Sequence, residues 1–490
     1  MALVTTPVLL RRLGAESYGI LVLAGTLGGL GALLDLGLTP AVVSLLSRSL
    51  QTGDQVRSAS VVGNALALYL SVGAVAGVGL ATAAPWIVRD LLHVAPELAT
   101  QARVTFQLSA LGLALNLWFA VFTAIPLALE RYELVGLRQV AVTLVTSVAM
   151  IAAALLGVRV SGLMAISVGG TAAGLGIFYI VSRRLLPDVS FRPRLDRRSV
   201  RNLASFGGLK LAGSVAGALV FRFDQVAIGG ILGPAAAGFY AVPSNALARV
   251  HGIVVDAAAP LLPRASRLRD DPAALRRYLL DGSRLLFIIA LAVFVSVFVL
   301  ADRLLAEWVG GSQGAALSSK AALATRLLVV ALAIQALAAV PVTLCEAVGR
   351  PALPNGFAVV SALLHVPLVL ALVPRFGISG AAAALLINSA LQTNVFIVVA
   401  LRSVIKVPVR DLVVRAVSRP LGAALLVGLV GWPLRVLAHG RLLTISLAAV
   451  LVALYLAVAV LIGAVRREEL VRLTSRLRPG LRRRVVSTPS

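Results

Sequence analysis

Apolar stretches long enough to cross a lipid bilayer recur along this chain from its first residues to about residue 462. A spanning helix needs roughly 20 mostly apolar residues and must satisfy its own backbone hydrogen bonds. The pattern therefore predicts an all-α, polytopic transmembrane helical bundle of about 14 helices, if residues 1–10 are the end of a truncated first helix. The other predicted helices lie near residues 17–46, 58–83, 103–128, 137–157, 161–182, 206–231, 237–262, 283–302, 323–346, 355–373, 378–400, 418–434 and 443–464.

The composition also indicates a chain whose solvent is lipid. Of the 490 residues, 59% are hydrophobic and 13% are charged, so no large soluble domain is expected. The net charge of +25 comes from arginines in short loops with few aromatic neighbours, which argues against a surface for nucleic acid. One cysteine and four histidines show no ligand spacing, and they predict neither a disulfide framework nor a metal site. No nucleotide-binding loop or catalytic triad pattern is present, so neither an enzyme nor a cofactor is expected.

The basic residues of the loops predict the orientation, because cytoplasmic loops retain Lys and Arg. Alternate loops carry about three times as many of these residues as the loops between them. The basic tail after residue 464 belongs to the richer set. We therefore expect a multi-pass protein of the cytoplasmic (inner) membrane with a cytoplasmic C-terminus.

An internal repeat predicts how the helices are grouped. Three markers recur 219 positions later: Leu13-Gly14 as Leu232-Gly233, Gly19 as Gly238, and Ser47-Arg48 as Ser266-Arg267. Each copy holds six predicted helices, an even number, so the two copies share one orientation and predict two six-helix lobes in a parallel repeat. The predicted parts are an N-lobe over 1–182, a basic cytoplasmic linker over 183–205, a C-lobe over 206–400, two further helices over 401–464 and a basic cytoplasmic tail over 465–490.

The repeat also bears on the start of the chain. The helix that begins near residue 205 maps to a position before Met1. We therefore expect that the true start lies upstream, or that the sequence begins inside its first helix.

Ionisable residues inside the predicted spans are costly in lipid and mark candidate functional positions. Asn245, Arg249 and Asp256 are spaced to share one face of the eighth predicted helix. Arg222 and Asp224 are two residues apart and point to different sides of the seventh, so each needs another partner. The full set is Asp35, Lys210, Arg222, Asp224, Arg249 and Asp256.

These residue types suit an anionic substrate that carries sugar. Guanidinium groups match phosphate oxygens in bidentate geometry, so we interpret Arg222, Arg249 and Lys210 as a diphosphate site. The carboxylates either balance those charges or carry a coupling proton; they are Asp35, Asp224 and Asp256. Candidate glycan contacts are Asn245, Asn116, Gln335, Asn388 and Gln392. The alternatives are that the charges pair across helices, that Lys210 and Arg222 reach the interfaces, and that the amides serve helix contacts.

Three segments carry a resemblance to a known family. They are residues 7–14 with 18–20 and 34–38, then Phe221 to Tyr240 continuing to Pro260 and Pro263, and finally Phe376-Gly377-Ile378-Ser379-Gly380-Ala381-Ala382. Together they resemble the bacterial polysaccharide flippases, the oligosaccharidyl-lipid branch of the multidrug/oligosaccharidyl-lipid/polysaccharide exporter superfamily. The resemblance implies a two-lobe protein that flips a polyprenyl-diphosphate-linked oligosaccharide to the outer leaflet by alternating access. It also implies that the last two helices form part of a groove for the isoprenoid tail.

The predicted function is therefore a lipid-linked oligosaccharide flippase for cell-surface polysaccharide biosynthesis. Its expected partners are that substrate, membrane lipids and other polysaccharide assembly proteins. The first alternative is a cation-coupled multidrug exporter of the same superfamily, against which the two extra helices and the cavity arginines argue. The second is a membrane scaffold or glycosyltransferase of the assembly pathway; for such an enzyme the loops assigned outside are short.

Overall fold

The computed structural model describes residues 2–29, 31–34, 38–194, 208–258, 265–267 and 271–464. Within these ranges the regular structure is helical and no strand occurs. Eleven of the described helical segments are long and apolar enough to cross a membrane. The prediction of an all-α, polytopic membrane bundle is confirmed.

Within its described residues, the N-terminal part of the chain forms seven helices. Helix α1 contains one residue with non-helical angles, Gly14 at φ 78° and ψ 168°, between the predicted first and second helices. The predicted helix over 17–46 is interrupted in the structure, where Gly28, Gly29 and Gly31 weaken helical propensity. The seven helices are α1 Ala2–Gly28, α2 Gly31–Leu34, α3 Leu38–Gln51, α4 Gln55–Trp86, α5 Pro96–Ala128, α6 Tyr132–Leu155 and α7 Val160–Leu185.

The remainder of the described chain is helical as well. Several of these helices join through short π-helical turns, at 389–393, 401–405 and 413–417. The helices are α8 Gly208–Leu232, α9 Pro234–Asp256, α10 Pro272–Val309, α11 Gly311–Ala336, α12 Ala339–Ala347, α13 Ala352–Phe376, α14 Ile378–Asn388, α15 Asn394–Ala400, α16 Val409–Leu412, α17 Ser418–Leu434 and α18 Arg441–Leu461.

The contacts divide the chain into two compact units. Unit 1 comprises Met1–Ala248, Leu305–Leu328 and Pro351–Gln392, and unit 2 comprises Arg249–Leu304, Val329–Arg350 and Thr393–Ser490. The lobes, linker and tail predicted from the repeat stay a prediction. Residues 195–205 of that linker, residues 206–207 at the start of the C-lobe and residues 465–490 of the tail lie outside the described part of the chain.

Each unit has an apolar core of its own. In unit 1, Tyr69 of α4, Leu117 of α5 and Phe178 of α7 are buried together. In unit 2, Val299 of α10 and Tyr455 of α18 are buried with residues of α17. These cores contain helix faces that would otherwise contact lipid, and they give each unit a fixed packing.

Helix α6 shows what surrounds the protein. In its most apolar stretch of 18 residues none is buried against the rest of the protein. Leu137, Val140 and Val145 are all exposed large apolar side chains on this helix. Apolar exposure on this scale requires an apolar solvent, as expected for a helix that faces hydrocarbon.

Candidate functional site

A cavity of about 410 Å³ in unit 1 contains one of the predicted cations. Arg222 of α8 lines it, together with Thr39 of α3 and Asn116 of α5. Gly28, Gly29, Gly31, Leu117 and Ala120 complete the lining. The cavity therefore combines a guanidinium group with a hydroxyl, an amide and glycine backbone, a set of groups suited to an anion with attached polar groups.

Glycine at position 29 gives Arg222 its place in the cavity. A Cβ atom built on Gly29 would overlap Nη1 of Arg222. The guanidinium thus lies directly against the backbone that follows α1. Any side chain at position 29 must displace the Arg222 head group, which is the flexible end of a long side chain.

A chain of polar contacts connects three helices of unit 1. Thr26 of α1 donates to Oε1 of Gln225, with 2.6 Å between the oxygens. Gln225 Nε2 donates to Oδ1 of Asn245 on α9, with 3.0 Å between the atoms. Gln225 is buried whereas Asn245 is exposed. Asn245, predicted as a glycan contact, is thereby oriented by the residue next to Asp224.

Asp224 occupies a buried polar cluster of its own. The Tyr240 hydroxyl of α9 donates to Asp224 Oδ2 at 2.6 Å, and His365 Nε2 of α13 lies 2.7 Å from Asp224 Oδ1. Asp224 and Tyr240 are each 2% exposed and His365 is fully buried. Asp224 therefore has its partners on two other helices, while Arg222 on the same helix lines the cavity.

Neither His365 nor Tyr240 was among the residues nominated from the sequence. His365 lies within the predicted span 355–373 and is titratable, so the rule that selected the intramembrane Asp, Lys and Arg residues applies to it equally. Tyr240 carried no such signal, because a tyrosine in a span is a common packing residue.

The other predicted cations and carboxylates are placed as follows. Arg249 and Asp256 are exposed on α9. Lys210 is described only as backbone, in the first turn of α8, and Asp35 lies outside the described residues. Their predicted roles stay predictions.

The remaining candidate glycan residues differ in their surroundings. Asn388 is buried and donates from Nδ2 to the Ser361 hydroxyl at 2.8 Å. Gln392 donates from Nε2 to the Phe357 carbonyl at 3.0 Å. Asn116 lines the cavity and donates to the Gly112 carbonyl of its own helix at 2.9 Å, and Gln335 of α11 is half-buried. The contacts of Asn388 and Gln392 connect helices, which is the alternative role of such amides.

Unit 2 contains a groove of different chemistry, about 530 Å³ in volume. Its walls come from α10, α11 and α17, and every lining residue is apolar. Phe294, Phe298 and Trp432 supply aromatic rings, and Gly428 leaves open space in the wall. A groove of this composition suits a hydrocarbon chain.

Comparison with known proteins identifies relatives over most of the chain. The family model described as "Polysaccharide biosynthesis protein" matches residues 8–313. A Shigella flexneri protein named "Putative O-antigen transporter" is 21% identical over 379 residues, which is 76% of this chain and 87% of the relative.

Solved membrane transporters share the fold. The lipid II flippase MurJ in an inward closed conformation aligns with a TM-score of 0.65 at 11% identity, over 93% of this chain and 95% of MurJ. An inward-facing multidrug resistance MATE family transporter of the MOP superfamily aligns with a TM-score of 0.63 at 15% identity, over 83% of this chain and 94% of that protein. At these identities the likeness establishes the fold and not the substrate.

Proposed function

Because this chain belongs to the polysaccharide biosynthesis protein family, we propose that it is a flippase for a polyprenyl-diphosphate-linked oligosaccharide. It moves this substrate across the cytoplasmic (inner) membrane by alternating access, with its C-terminus in the cytoplasm. Membrane lipids surround it, and other proteins of polysaccharide assembly act before and after it.

The physical problem of such a substrate is its head group. A hydrated glycan and two phosphates lose their hydrogen bonds to water when they enter hydrocarbon. Each polar group left unpaired by this transfer costs on the order of several kcal/mol. The cavity in unit 1 offers replacements for those bonds. Arg222, with its guanidinium group in a cavity of about 410 Å³, is the observation that carries the proposal.

The predicted residues take their roles within this function. Arg222, Arg249 and Lys210 bind the diphosphate, since guanidinium and ammonium groups replace the water around phosphate oxygens. Asp35, Asp224 and Asp256 balance these charges or carry a coupling ion. The candidate glycan contacts are Asn245, Asn116, Gln335, Asn388 and Gln392, of which Asn116 lines the Arg222 cavity.

The apolar groove of unit 2 supports a lipid-linked rather than a free substrate. Its lining of Phe, Leu, Val, Ile, Ala, Gly and Trp offers no polar side chain apart from the Trp432 indole. An isoprenoid tail gains roughly 25 cal/mol per Å² of apolar surface that it buries in such a groove. A cationic drug would gain no charge pairing there.

Flipping assays with arginine variants test this function. We would reconstitute the chain in proteoliposomes with a fluorescent polyprenyl-diphosphate oligosaccharide and compare wild type, Arg222→Ala and Arg249→Ala at matched folded protein levels. Loss of a charge-assisted contact of roughly 1.5–3 kcal/mol predicts a decrease of about ten- to a hundredfold in flipping rate. Arg375→Ala removes an exposed arginine from the last turn of α13 and is the matched control.

The outcomes separate the alternatives. A folded wild-type protein that flips no lipid-linked oligosaccharide contradicts the function and favours a drug exporter or a scaffold. Wild-type activity that survives both substitutions keeps the function but removes the diphosphate site from these residues. Equal losses in Arg375→Ala and Arg222→Ala would mean that the assay reports surface charge.

A further inference from the structure

Two helices of unit 1 hold a buried acid and a buried base in contact. Gly213 of α8 lies against Asn355 of α13, and further along both helices Asp224 of α8 contacts His365. The two helices therefore run parallel. The Asp224–His365 contact lies further along both of them than the Gly213–Asn355 contact. His365 is wholly inaccessible to solvent in this conformation.

The hydrogen bonds define where a proton is missing. An ionised carboxylate only accepts, so Asp224 receives one bond from the Tyr240 hydroxyl and one from Nε2–H of His365. A neutral imidazole with its proton on Nε2 has a lone pair on Nδ1. Among the described residues, Nδ1 of His365 has no hydrogen-bond partner. The cluster thus contains one buried basic nitrogen without a hydrogen-bond partner in the described part of the chain.

The cluster can accept one further proton. With neutral His365 the ionised carboxylate of Asp224 gives the pair one net negative charge. A proton added at Nδ1 converts His365 to imidazolium, forms one N–H bond, breaks none, and brings the Asp224–His365 pair to zero net charge. Tyr240 keeps its proton throughout and positions the carboxylate.

Apart from Tyr240, no titratable group in the described part of the chain forms a hydrogen bond or ion pair with Asp224 or His365. Tyr240 is the titratable residue that α9 directs at Asp224, and α14 contains none. On α1 the titratable residues, from Arg11 to Tyr18, lie at least two turns before Thr26, which meets α8 at Gln225. Arg222 belongs to α8 itself and lines the cavity.

The chemistry of the pair selects a proton over a metal cation. Hard cations such as Na⁺, Mg²⁺ or Ca²⁺ prefer several oxygen ligands. Here one carboxylate oxygen of Asp224 accepts a hydrogen bond from the His365 ring and the other accepts one from the Tyr240 hydroxyl. The described part of the chain has no group of three or more acidic, histidine or cysteine side chains that could hold a metal ion.

The helices that supply the partners can bend near the cluster. Pro367 lies inside α13 two residues after His365, and Pro243 lies inside α9 three residues after Tyr240. Each proline removes a helical hydrogen bond and permits a kink. Nδ1 is buried here, and a bend that separates α8 from α13 would expose it to a proton.

We propose that the Asp224–His365 pair is the proton-binding site that couples substrate movement to a transmembrane proton gradient. The site rests on the proposed flippase function for its role in transport. Proton binding itself does not depend on that function and can be measured without substrate.

Histidine NMR is the first test. The chain has only four histidines, so ring ¹⁵N signals of the full protein in detergent are few, and His365→Gln assigns the one of interest. As the pH of the sample is lowered, we expect the His365 ring to change from the Nε2–H tautomer to an imidazolium with its second proton on Nδ1. In Asp224→Asn the imidazolium has no negative partner, so we expect a smaller doubly protonated population at the same pH. A ring that keeps one protonation state at every pH at which the protein stays folded, in both proteins, overturns the proposal.

Gradient-driven flipping is the second test. For one proton per cycle, a gradient of one pH unit changes the substrate distribution by about tenfold. We expect the ratio of flipping with and without the gradient to fall to about one in His365→Gln, in which the amide still donates to Asp224 but cannot titrate. His439→Gln, at an exposed position, keeps the wild-type ratio. A wild-type ratio in His365→Gln overturns the proposal.

The outcomes of the two tests distinguish a failure of the proton site from a failure of the flippase function. If wild type flips no substrate but His365 titrates as expected, the proton site stands and the flippase function falls. If wild type flips substrate and His365 neither titrates nor affects the gradient response, the function stands and the proton site falls.

Discussion

At the scale of single residues, Gly29 and Arg222 show how a small residue positions a large one. The position after α1 has no side chain, and the guanidinium of Arg222 takes the space where a Cβ would lie. The backbone of Gly29 is still tied to α1, since its N–H donates to the Gly25 carbonyl at 2.9 Å. The cation is therefore placed by backbone geometry and not by an acidic partner within the same helix.

Substituting Gly29 should move Arg222 without unfolding the protein. In Gly29→Ala the new Cβ displaces the flexible end of Arg222, so we expect flipping to decrease, though less than in Arg222→Ala, with the thermal midpoint nearly unchanged. The measurement is the flipping rate together with a thermal unfolding curve. Gly25→Ala is the control one turn earlier, where a Cβ meets open space. A full-rate Gly29→Ala protein would show that the position of this guanidinium is not critical.

At the scale of elements, two glycines allow α1 and α9 to cross closely. A Cβ on Gly19 would overlap the Pro234 carbonyl, and a Cβ on Gly238 would lie 2.9 Å from the Ala15 oxygen and 3.1 Å from Gly19 Cα. Small residues permit such close approach of helices in membranes. Gly19 and Gly238 are also a matched pair of the internal repeat, so equivalent positions of the two proposed copies lie against each other.

Alanine at position 19 should destabilise this crossing. The obstructing atoms are backbone, which cannot turn aside as a side chain can, and overpacking of this kind costs about 1–3 kcal/mol. We expect a lower thermal midpoint and a lower folded yield by size-exclusion chromatography for Gly19→Ala. Gly25→Ala on the same helix should be at least as stable as wild type, since alanine favours a helix over glycine. Equal stability of the two variants would contradict the close crossing.

At the scale of the whole molecule, the chain contains two kinds of site. Unit 1 has a cavity with a cation and polar side chains, and unit 2 has an apolar groove. A substrate with an anionic, sugar-bearing head and a hydrocarbon tail needs both chemistries. The basic tail and loops predict on which side of the membrane the C-terminus lies, and this orientation stays a prediction.

Filling the groove should weaken transport of long-tailed substrates. Gly428 lines the groove of unit 2 and a Cβ atom there has nothing within 4 Å, so we expect Gly428→Trp to keep α17 folded and to place its ring in the groove. Displacing about two methylenes of a tail, at about 0.8 kcal/mol each, predicts a decrease of about tenfold in affinity for the lipid carrier. Flipping of carriers with long and short isoprenoid tails would be compared.

Gly422→Trp is the matched control for the groove. Gly422 lies on the same helix, also meets open space, and is outside the groove lining. If both tryptophan variants lower transport equally, or if short-tailed and long-tailed carriers respond alike, the groove does not hold the tail.

The sequence by itself determined the membrane-spanning, all-helical class, because hydrocarbon forces long apolar helices whose pattern is local. It also singled out Arg222 and Asp224, since a charge in an apolar stretch is conspicuous wherever the chain folds. The break in the helix after Gly28 was not predicted, because helical propensity alone does not show that Arg222 takes the space beside Gly29.

Only the tertiary structure decided which of these residues meet. Asp224 and His365 are 141 positions apart, and their contact depends on the register in which α8 packs on α13. The cavity and the groove likewise arise from side chains of three or more separate segments. No local pattern encodes such meetings, because helix packing depends on the shapes of both surfaces at once.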